Sequence, residues 1–122
     1  SKLLKKTVKT VTIPATVTID GYTFKVTAVA NNVFKNASRL KSVVIGANVK
    51  SIGKSSFYKC KKLATITFKG IKAPGVGKNA FKSGKSKVTV KVPKKMKKSQ
   101  LNKLKKALKK AGVKKASYKK TK

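Results

Sequence analysis

Apolar and polar residues alternate in four short stretches of the chain, and this alternation is typical of a β-strand that buries one face. The last three stretches each follow a block of related sequence, so the chain repeats one structural unit. The apolar positions are Val8, Val11 and Ile13, then Val43 and Ile45, then Ile66 and Phe68, and finally Val88, Val90 and Val92.

The related blocks are VANNVFKNASRL (29–40), IGKSSFYKCKKL (52–63) and VGKNAFKSGKSK (76–87), which recur after 23 and then 24 residues. Phe34, Phe57 and Phe81 share one position in them. Repeats of about 20 to 29 residues, each with one strand and a short turn or helical piece, are typical of a leucine-rich-repeat solenoid. The pattern predicts an α/β repeat solenoid, a right-handed superhelix of short parallel strands with the phenylalanines stacked in its core.

Two segments outside the repeats are predicted to close the ends of the solenoid. VTIDGYTFKV (17–26) carries Asp20-Gly21 between β-forming residues, which favours a hairpin with a type I′ turn because both central residues need positive φ. SQLNKLKKALKKAG (99–112) predicts a helix with Ser99 as its N-cap, its leucines on one face, and Gly112 as its stop signal. The tail, 113–122, is expected either to add a short strand or to be disordered.

The chain has 122 residues, which fits one domain with a modest core. Within that domain, we assign residues 1–28 to the first strand and the hairpin cap, 29–92 to the repeats, and 93–122 to the capping helix and basic tail.

The segment VVIGANVKSIGKSSFYKCKKL (43–63) has the order I-G-x-x-S-F-x-x-C-x-x-L, with degenerate copies on either side. It resembles the BspA-like leucine-rich repeats of bacterial surface proteins. The closing VKVPKK and basic helix are similar to those of lysine-rich members from gut Firmicutes. The resemblance covers roughly residues 8–112. It implies a secreted or surface-attached, non-catalytic binding protein with a role in adhesion or in contact with a host or matrix, and it supplies no catalytic residues.

The charge of the chain is extreme, with 34 Lys and Arg residues against one acid, Asp20, and a formal net charge of +33. Arg39 is the only arginine, so the surface offers point charges rather than bidentate forks. We expect non-specific attraction to anionic polymers, but no sequence-specific nucleic-acid recognition. No apolar run is long enough to span a bilayer. The chain lacks an initiator Met and is interpreted as a monomeric part of a longer protein.

Catalytic and metal-binding chemistry is not expected. Cys60 corresponds to Ala37 and Gly84 in the other repeats, so its position requires a small residue rather than a thiol. The chain has no histidine to act as a base or to complete a metal site. GVGKNAF (75–81) mimics a phosphate-binding loop, but the repeat register already explains its glycine and phenylalanine. We therefore predict no enzyme activity, no metal and no cofactor.

Two hypotheses about function remain open, besides a purely structural role as a basic end-block. In the first, the exposed face of the parallel sheet binds a protein or glycan, although threonine also simply suits an exposed strand. In the second, dispersed lysine charge binds cell-wall polymer, sulfated glycan or nucleic acid without specificity. Tyr58 aligns with lysines in the other repeats and is a further candidate contact. The predicted ligand face comprises Thr10, Thr12, Ser42, Val44, Thr65, Thr67, Thr89 and Lys91.

Overall fold

The structure is a computed structural model that describes residues 9–82 and 87–121. It has the predicted solenoid of short parallel strands with one C-terminal helix. The elements in chain order are β1 (Thr10–Ile13), β2 (Thr16–Ile19), β3 (Tyr22–Lys25), β4 (Ala28–Val29), β5 (Ser42–Ile45), β6 (Ser51–Ile52), β7 (Thr65–Phe68), β8 (Gly75–Val76), β9 (Lys87–Pro93), α1 (Lys98–Lys110) and β10 (Lys115–Thr121).

The alternating stretches form a five-stranded parallel sheet, the main sheet, with the order β1-β5-β7-β9-β10. The alternating apolar residues point to one side, and Val43, Ile66 and Val90 are fully buried there. Because these three positions also pair with one another across the strands, each repeat buries its apolar face against its neighbours. This confirms the strand prediction for the described residues, whereas Val8 of the first stretch lies outside them.

On the other side of the core, each repeat adds a two-residue strand and a turn. The short strands form a second parallel sheet with the order β4-β6-β8. The turns stack through backbone hydrogen bonds: the Phe34 N–H donates to the Ser56 carbonyl and the Phe57 N–H donates to the Ala80 carbonyl, each at 2.8 Å. Adjacent repeats are therefore joined by three ladders of backbone hydrogen bonds.

The three phenylalanines form a continuous stack inside these turns, as predicted. The ring centroids of Phe34 and Phe57 are 5.4 Å apart, and those of Phe57 and Phe81 are 5.1 Å apart with only 2° between the ring planes. Phe57 is fully buried, whereas Phe34 at the end of the stack is half-buried. The backbone hydrogen bonds between successive turns fix this spacing, because each turn carries one phenylalanine.

One repeat position holds Ala30, Gly53 and Gly77, and close stacking explains its glycines. A Cβ on Gly53 would lie 2.6 Å from the backbone nitrogen of Asn31, and a Cβ on Gly77 would lie 2.5 Å from that of Lys54. Ala30 is exposed, and among the described residues no earlier repeat stacks on it. The position thus needs glycine only where the preceding repeat presses against it.

The C-terminal helix, α1, is docked on the end of the repeats. Leu104 and Leu108 are fully buried, and the Ala111 carbonyl accepts a hydrogen bond of 3.0 Å from the Phe81 N–H, extending the turn ladder. The predicted stop at Gly112 is confirmed, because its φ is +108°. The Val113 N–H donates to the Leu108 carbonyl and the Gly112 N–H donates to that of Lys109, which is a Schellman motif.

The N-cap prediction for this helix is wrong, because Lys97 rather than Ser99 occupies that position and makes no side-chain cap bond. Ser99 lies in the first turn, exposed to solvent. Met96, immediately before the cap, is buried and anchors the chain there. Core packing therefore sets the start of the helix ahead of local capping preference.

The tail adds the fifth strand of the main sheet, β10, which pairs in parallel with β9. This resolves the two alternatives for residues 115–121 in favour of a strand. Tyr118 on its inner side is partly buried, and the Lys105 ammonium of α1 lies 5.1 Å from its ring centroid. Burial raises the pKa of the Tyr118 hydroxyl.

The hairpin of β2 and β3 forms as predicted, with positive φ at both Asp20 (+50°) and Gly21 (+81°). Its base is held by the Ala15 carbonyl, which accepts hydrogen bonds of 2.9 Å from the Val26 N–H and the Asn48 amide. The two strands pair with each other in a separate sheet and do not pair with β1. All eight strand residues are exposed, so the assignment of the hairpin as a cap stays a prediction.

Cys60 is a core residue. It is fully buried, and its Sγ donates a hydrogen bond of 3.3 Å to the Phe34 carbonyl. Burial raises the pKa of its thiol from 9.0 to about 11, partly offset by a backbone hydrogen bond from Ala37. Ala37 is buried in the same position of the first repeat, whereas Gly84 lies outside the described residues. The thiol is thus placed for packing rather than reaction.

Replacing Phe57 with alanine should lower the free energy of unfolding by about 3 to 5 kcal/mol, since its buried ring contacts a ring on each side. Phe34→Ala is the matched comparison, and its loss should be smaller because the ring is half-buried with one stacked neighbour. Urea unfolding of both variants measures the difference. Equal losses of unfolding free energy in the two variants, or an unchanged unfolding midpoint for Phe57→Ala, would contradict the conclusion that the buried phenylalanine stack stabilises the fold.

Thiol labelling tests the position of Cys60. A pKa of about 11 lowers the thiolate fraction at pH 8 roughly a hundredfold relative to an unperturbed cysteine. The native chain should therefore react with a disulfide reagent at least a hundredfold more slowly than the chain in urea.

The direction of the pKa shift also determines how Cys60 makes the stability of the fold depend on pH. Because the pKa is raised on folding, the neutral thiol favours the folded state, fully below pH 9 and less as the pH rises towards 11. Equal labelling rates in native and unfolded chains would show that Cys60 is accessible. Cys60→Ala should retain the fold.

Candidate functional site

The exposed face of the main sheet carries one hydroxyl side chain on every strand at the same level. Neighbouring strands lie about 4.8 Å apart, so the row spans the whole width of the sheet. No member donates a hydrogen bond to another described residue. We call this set the hydroxyl row; in sheet order it consists of Thr10, Ser42, Thr65, Thr89 and Ser117.

A second row lies two residues further along each strand and is chemically mixed. It begins with hydroxyls and ends with lysines, and the half-buried Val44 is its apolar member. Its members in sheet order are Thr12, Val44, Thr67, Lys91 and Lys119. The two rows together contain all eight side chains that the sequence predicts on the ligand face, and the register brings them together as adjacent pairs.

Sequence reasoning missed two members of this face, Ser117 and Lys119. They belong to β10, in the tail for which the sequence predicts either a strand or disorder. The available signal was the alternation in KASYKKT, where Ala116 and Tyr118 point inward and Ser117 and Lys119 point outward. That signal is weak, because neither inward residue is β-branched or fully buried.

Four lysines surround the Thr89–Ser117 pair on the last two strands. Lys87 lies directly opposite Lys115, and Lys91 directly opposite Lys119, and all four are exposed. Like charges directly opposite each other on neighbouring strands destabilise a sheet, and an anionic group placed between them removes that cost. We call these residues the lysine quartet. The face therefore changes from hydroxyl-rich at β1 to cationic at β9 and β10.

Tyr58 lies in the turn ladder rather than on this face. Its ring is half-buried and lies between two lysines, with the ammonium groups of Lys35 and Lys59 at 5.6 and 5.5 Å from its centroid. The structure does not bring Tyr58 together with the sheet face. Tyr58 is partly exposed, and a contact role for it stays a prediction.

The side chains of the face supply hydroxyls, ammonium groups and one apolar residue, Val44. Residues 9–82 and 87–121 contain no group of three or more His, Cys, Asp or Glu side chains that would hold a metal ion. Within the same residues, α1 is too short and too polar to cross a bilayer, and no other helix qualifies. Hydroxyls and ammonium groups at fixed spacing suit a ligand with regularly placed oxygen atoms and negative charge.

The sequence from residue 27 to residue 113 matches the family described as the BspA type leucine rich repeat region, in six copies. No protein with a curated description matches the chain. Among solved structures, a leucine-rich cell surface protein from Faecalibacterium prausnitzii is similar, with 26% identity and a TM-score of 0.56 over 71% of this chain and 30% of that protein.

A leucine-rich repeat protein from Bacteroides ovatus shares the fold, with 22% identity and a TM-score of 0.52 over 69% of this chain and 29% of that protein. The chain thus spans less than a third of the length of either structure. The family match covers most of the chain and coincides with the stacked repeats. The chain belongs to the BspA-type leucine-rich repeat family.

Proposed function

We propose that the chain is a non-catalytic binding module of a secreted or cell-surface bacterial protein, and that the exposed face of its main sheet holds the ligand. The ligand class we propose is an extended glycan with acidic groups, as found on cell walls and in host matrix. An adhesive role follows from this ligand class. The description of the Faecalibacterium prausnitzii relative as a cell surface protein supports the location.

The hydroxyl row is the main support for this proposal. An extended chain that lies across the strands meets a hydroxyl at every strand, from Thr10 to Ser117, without any change in the backbone of the sheet. Each hydroxyl both donates and accepts hydrogen bonds, which matches the hydroxyl groups of a sugar. The parallel register makes the row rigid, so little conformational entropy is lost on binding.

The lysine quartet favours a ligand that carries negative charge. The only acid of the chain, Asp20, is in the hairpin turn, so no carboxylate on the main sheet neutralises these lysines. Carboxylate or sulfate groups of a glycan that passes over Thr89 and Ser117 would lie between the two lysine pairs. Binding would then relieve the repulsion between Lys91 and Lys119.

Non-specific polyanion binding is the second candidate, and the net charge of +33 favours it. In that case the exposed lysines contribute equally wherever they lie, and affinity falls steeply with salt. The two candidates differ in whether the contribution of a lysine to affinity depends on its position on the sheet face. Variants of equal charge at different positions separate them.

Binding of heparin, a sulfated glycan, should weaken roughly tenfold in Lys91→Gln/Lys119→Gln. The slope of log affinity against log salt should also become shallower by about two. The matched control is Lys54→Gln/Lys78→Gln, which removes the same charge from the exposed turns and should leave affinity nearly unchanged. Titration calorimetry over a range of salt concentrations measures both quantities. Equal losses of affinity in the two variants would show that dispersed charge, rather than a site on the sheet face, binds heparin.

The hydroxyl row has its own test. Thr65→Val/Thr89→Val preserves side-chain shape and strand preference but removes two hydroxyls, and it should weaken heparin binding about five- to fiftyfold with an unchanged salt slope. Thr16→Val/Thr18→Val changes the same residue type on the hairpin and is the control. If the sheet variant binds heparin as tightly as the control, the row takes no part in glycan binding.

A further inference from the structure

The hairpin of β2 and β3 has one entirely apolar face. Val17 lies opposite Phe24 and Ile19 lies opposite Tyr22, and directly opposed residues in an antiparallel pair share a face. The other face carries Thr16, Thr18, Thr23 and Lys25, and the hydroxyls of Thr18 and Thr23 are 3.3 Å apart. The hairpin is therefore an amphipathic ribbon.

The apolar face is open to solvent. Tyr22 is 71% exposed, Ile19 57%, Phe24 52% and Val17 38%. These fractions correspond to roughly 300 to 400 Å² of apolar surface, which is within the range of the largest patch on a typical monomer, and such patches are often functional. We call these four residues the apolar patch.

The hairpin that carries the apolar patch extends from one edge of the solenoid, where the chain leaves β1, β5 and β7. Carboxyl ends of parallel strands share a sheet edge, and the contact of the Asn48 amide with the Ala15 carbonyl joins the first two of these loops. The same edge carries Ile71, which is 54% exposed, and the exposed lysines Lys50, Lys69 and Lys72. The large hydrophobic side chains that are exposed in the described residues thus all belong to connections that leave this one edge, and exposed lysines lie in the same connections.

The size and charge of this edge argue against a second copy of the chain. A stable protein interface buries about 800 Å² on each partner, at least twice the area of the apolar patch. Two chains with a net charge of +33 also repel each other. A fluid anionic surface needs neither a large area nor complementary shape, because apolar insertion and lysine attraction act together.

We propose that this edge docks on a membrane that contains anionic phospholipids. The apolar patch enters the interface between headgroups and acyl chains, where the Tyr22 ring suits a half-polar environment. Lys50, Lys69 and Lys72 contact the lipid phosphates beside it. The polar face of the hairpin stays in water, and the main sheet with its glycan-binding face takes no part. This surface does not depend on the proposed function.

Tryptophan fluorescence gives a direct test, because the chain has no tryptophan of its own. In Phe24→Trp the indole replaces a ring of the apolar patch, and in the control Thr23→Trp it lies on the opposite face of the same strand. Both proteins are titrated with vesicles of phosphatidylglycerol and phosphatidylcholine, and with vesicles of phosphatidylcholine alone. We expect a blue shift and quenching by brominated acyl chains only for Phe24→Trp with anionic vesicles.

A variant without the apolar patch provides a second test, in which partitioning to vesicles is measured. Ile19→Thr/Phe24→Thr keeps β-forming residues in the hairpin and should lower partitioning to anionic vesicles roughly tenfold or more. Thr18→Ala/Thr23→Ala, on the polar face, should leave partitioning unchanged. Circular dichroism and heparin affinity, both unchanged, verify that each variant is folded.

Three results would overturn membrane docking. The first is binding to anionic vesicles that is equal in the patch and polar-face variants, which would mean that lysine charge alone is responsible. The second is the absence of any blue shift for Phe24→Trp. The third is a concentration-dependent dimer, seen by sedimentation of the native chain and lost in Ile19→Thr/Phe24→Thr, which would identify a second copy as the occupant of the patch.

Discussion

Stacking of each repeat on the next is the interaction on which this molecule depends. A single repeat has one strand, one turn and one phenylalanine, and it cannot bury its apolar face alone. Phe57 becomes a core residue only because Phe34 and Phe81 lie at 5.4 and 5.1 Å on either side. Backbone ladders in both sheets and in the turns hold that spacing, and α1 continues it at the C-terminal end through Ala111.

The same stacking creates the surface that we propose for ligand binding. Because every repeat is in register, residues at one repeat position are aligned across the main sheet, and a threonine or serine on each strand becomes a row. Register also places lysines opposite lysines on β9 and β10, an arrangement that costs stability in the absence of an anion. Packing of the core thus fixes the positions of the strands, while the outward-facing residues take no part in that packing and can contact a ligand.

The hairpin is the exception to this arrangement. It is inserted between β1 and β4, pairs only with itself and leaves its apolar face uncovered. The other large apolar residues of the described chain are buried, packed against the core or half-buried, apart from the exposed Ile71 on the same edge. An apolar ribbon on a strongly cationic body is a second surface, and its chemistry differs from that of the hydroxyl row.

The sequence by itself determined the repeat, the strands β1, β5, β7 and β9, the phenylalanine stack, the hairpin turn at Asp20-Gly21 and the helix stop at Gly112. Each of these depends on periodicity or on the conformational preference of one or two residues, which are local properties. The tertiary structure decided that the tail becomes β10 and adds Ser117 and Lys119 to the face. It also decided that the helix starts after Lys97 and that the apolar patch stays exposed. The fifth strand and the helix start depend on contacts between segments distant in sequence, such as β10 with β9 across α1, and the local alternation in KASYKKT is only a weak signal for them. The exposure of the apolar patch depends on which described segments pack against the hairpin, and its own sequence does not encode that.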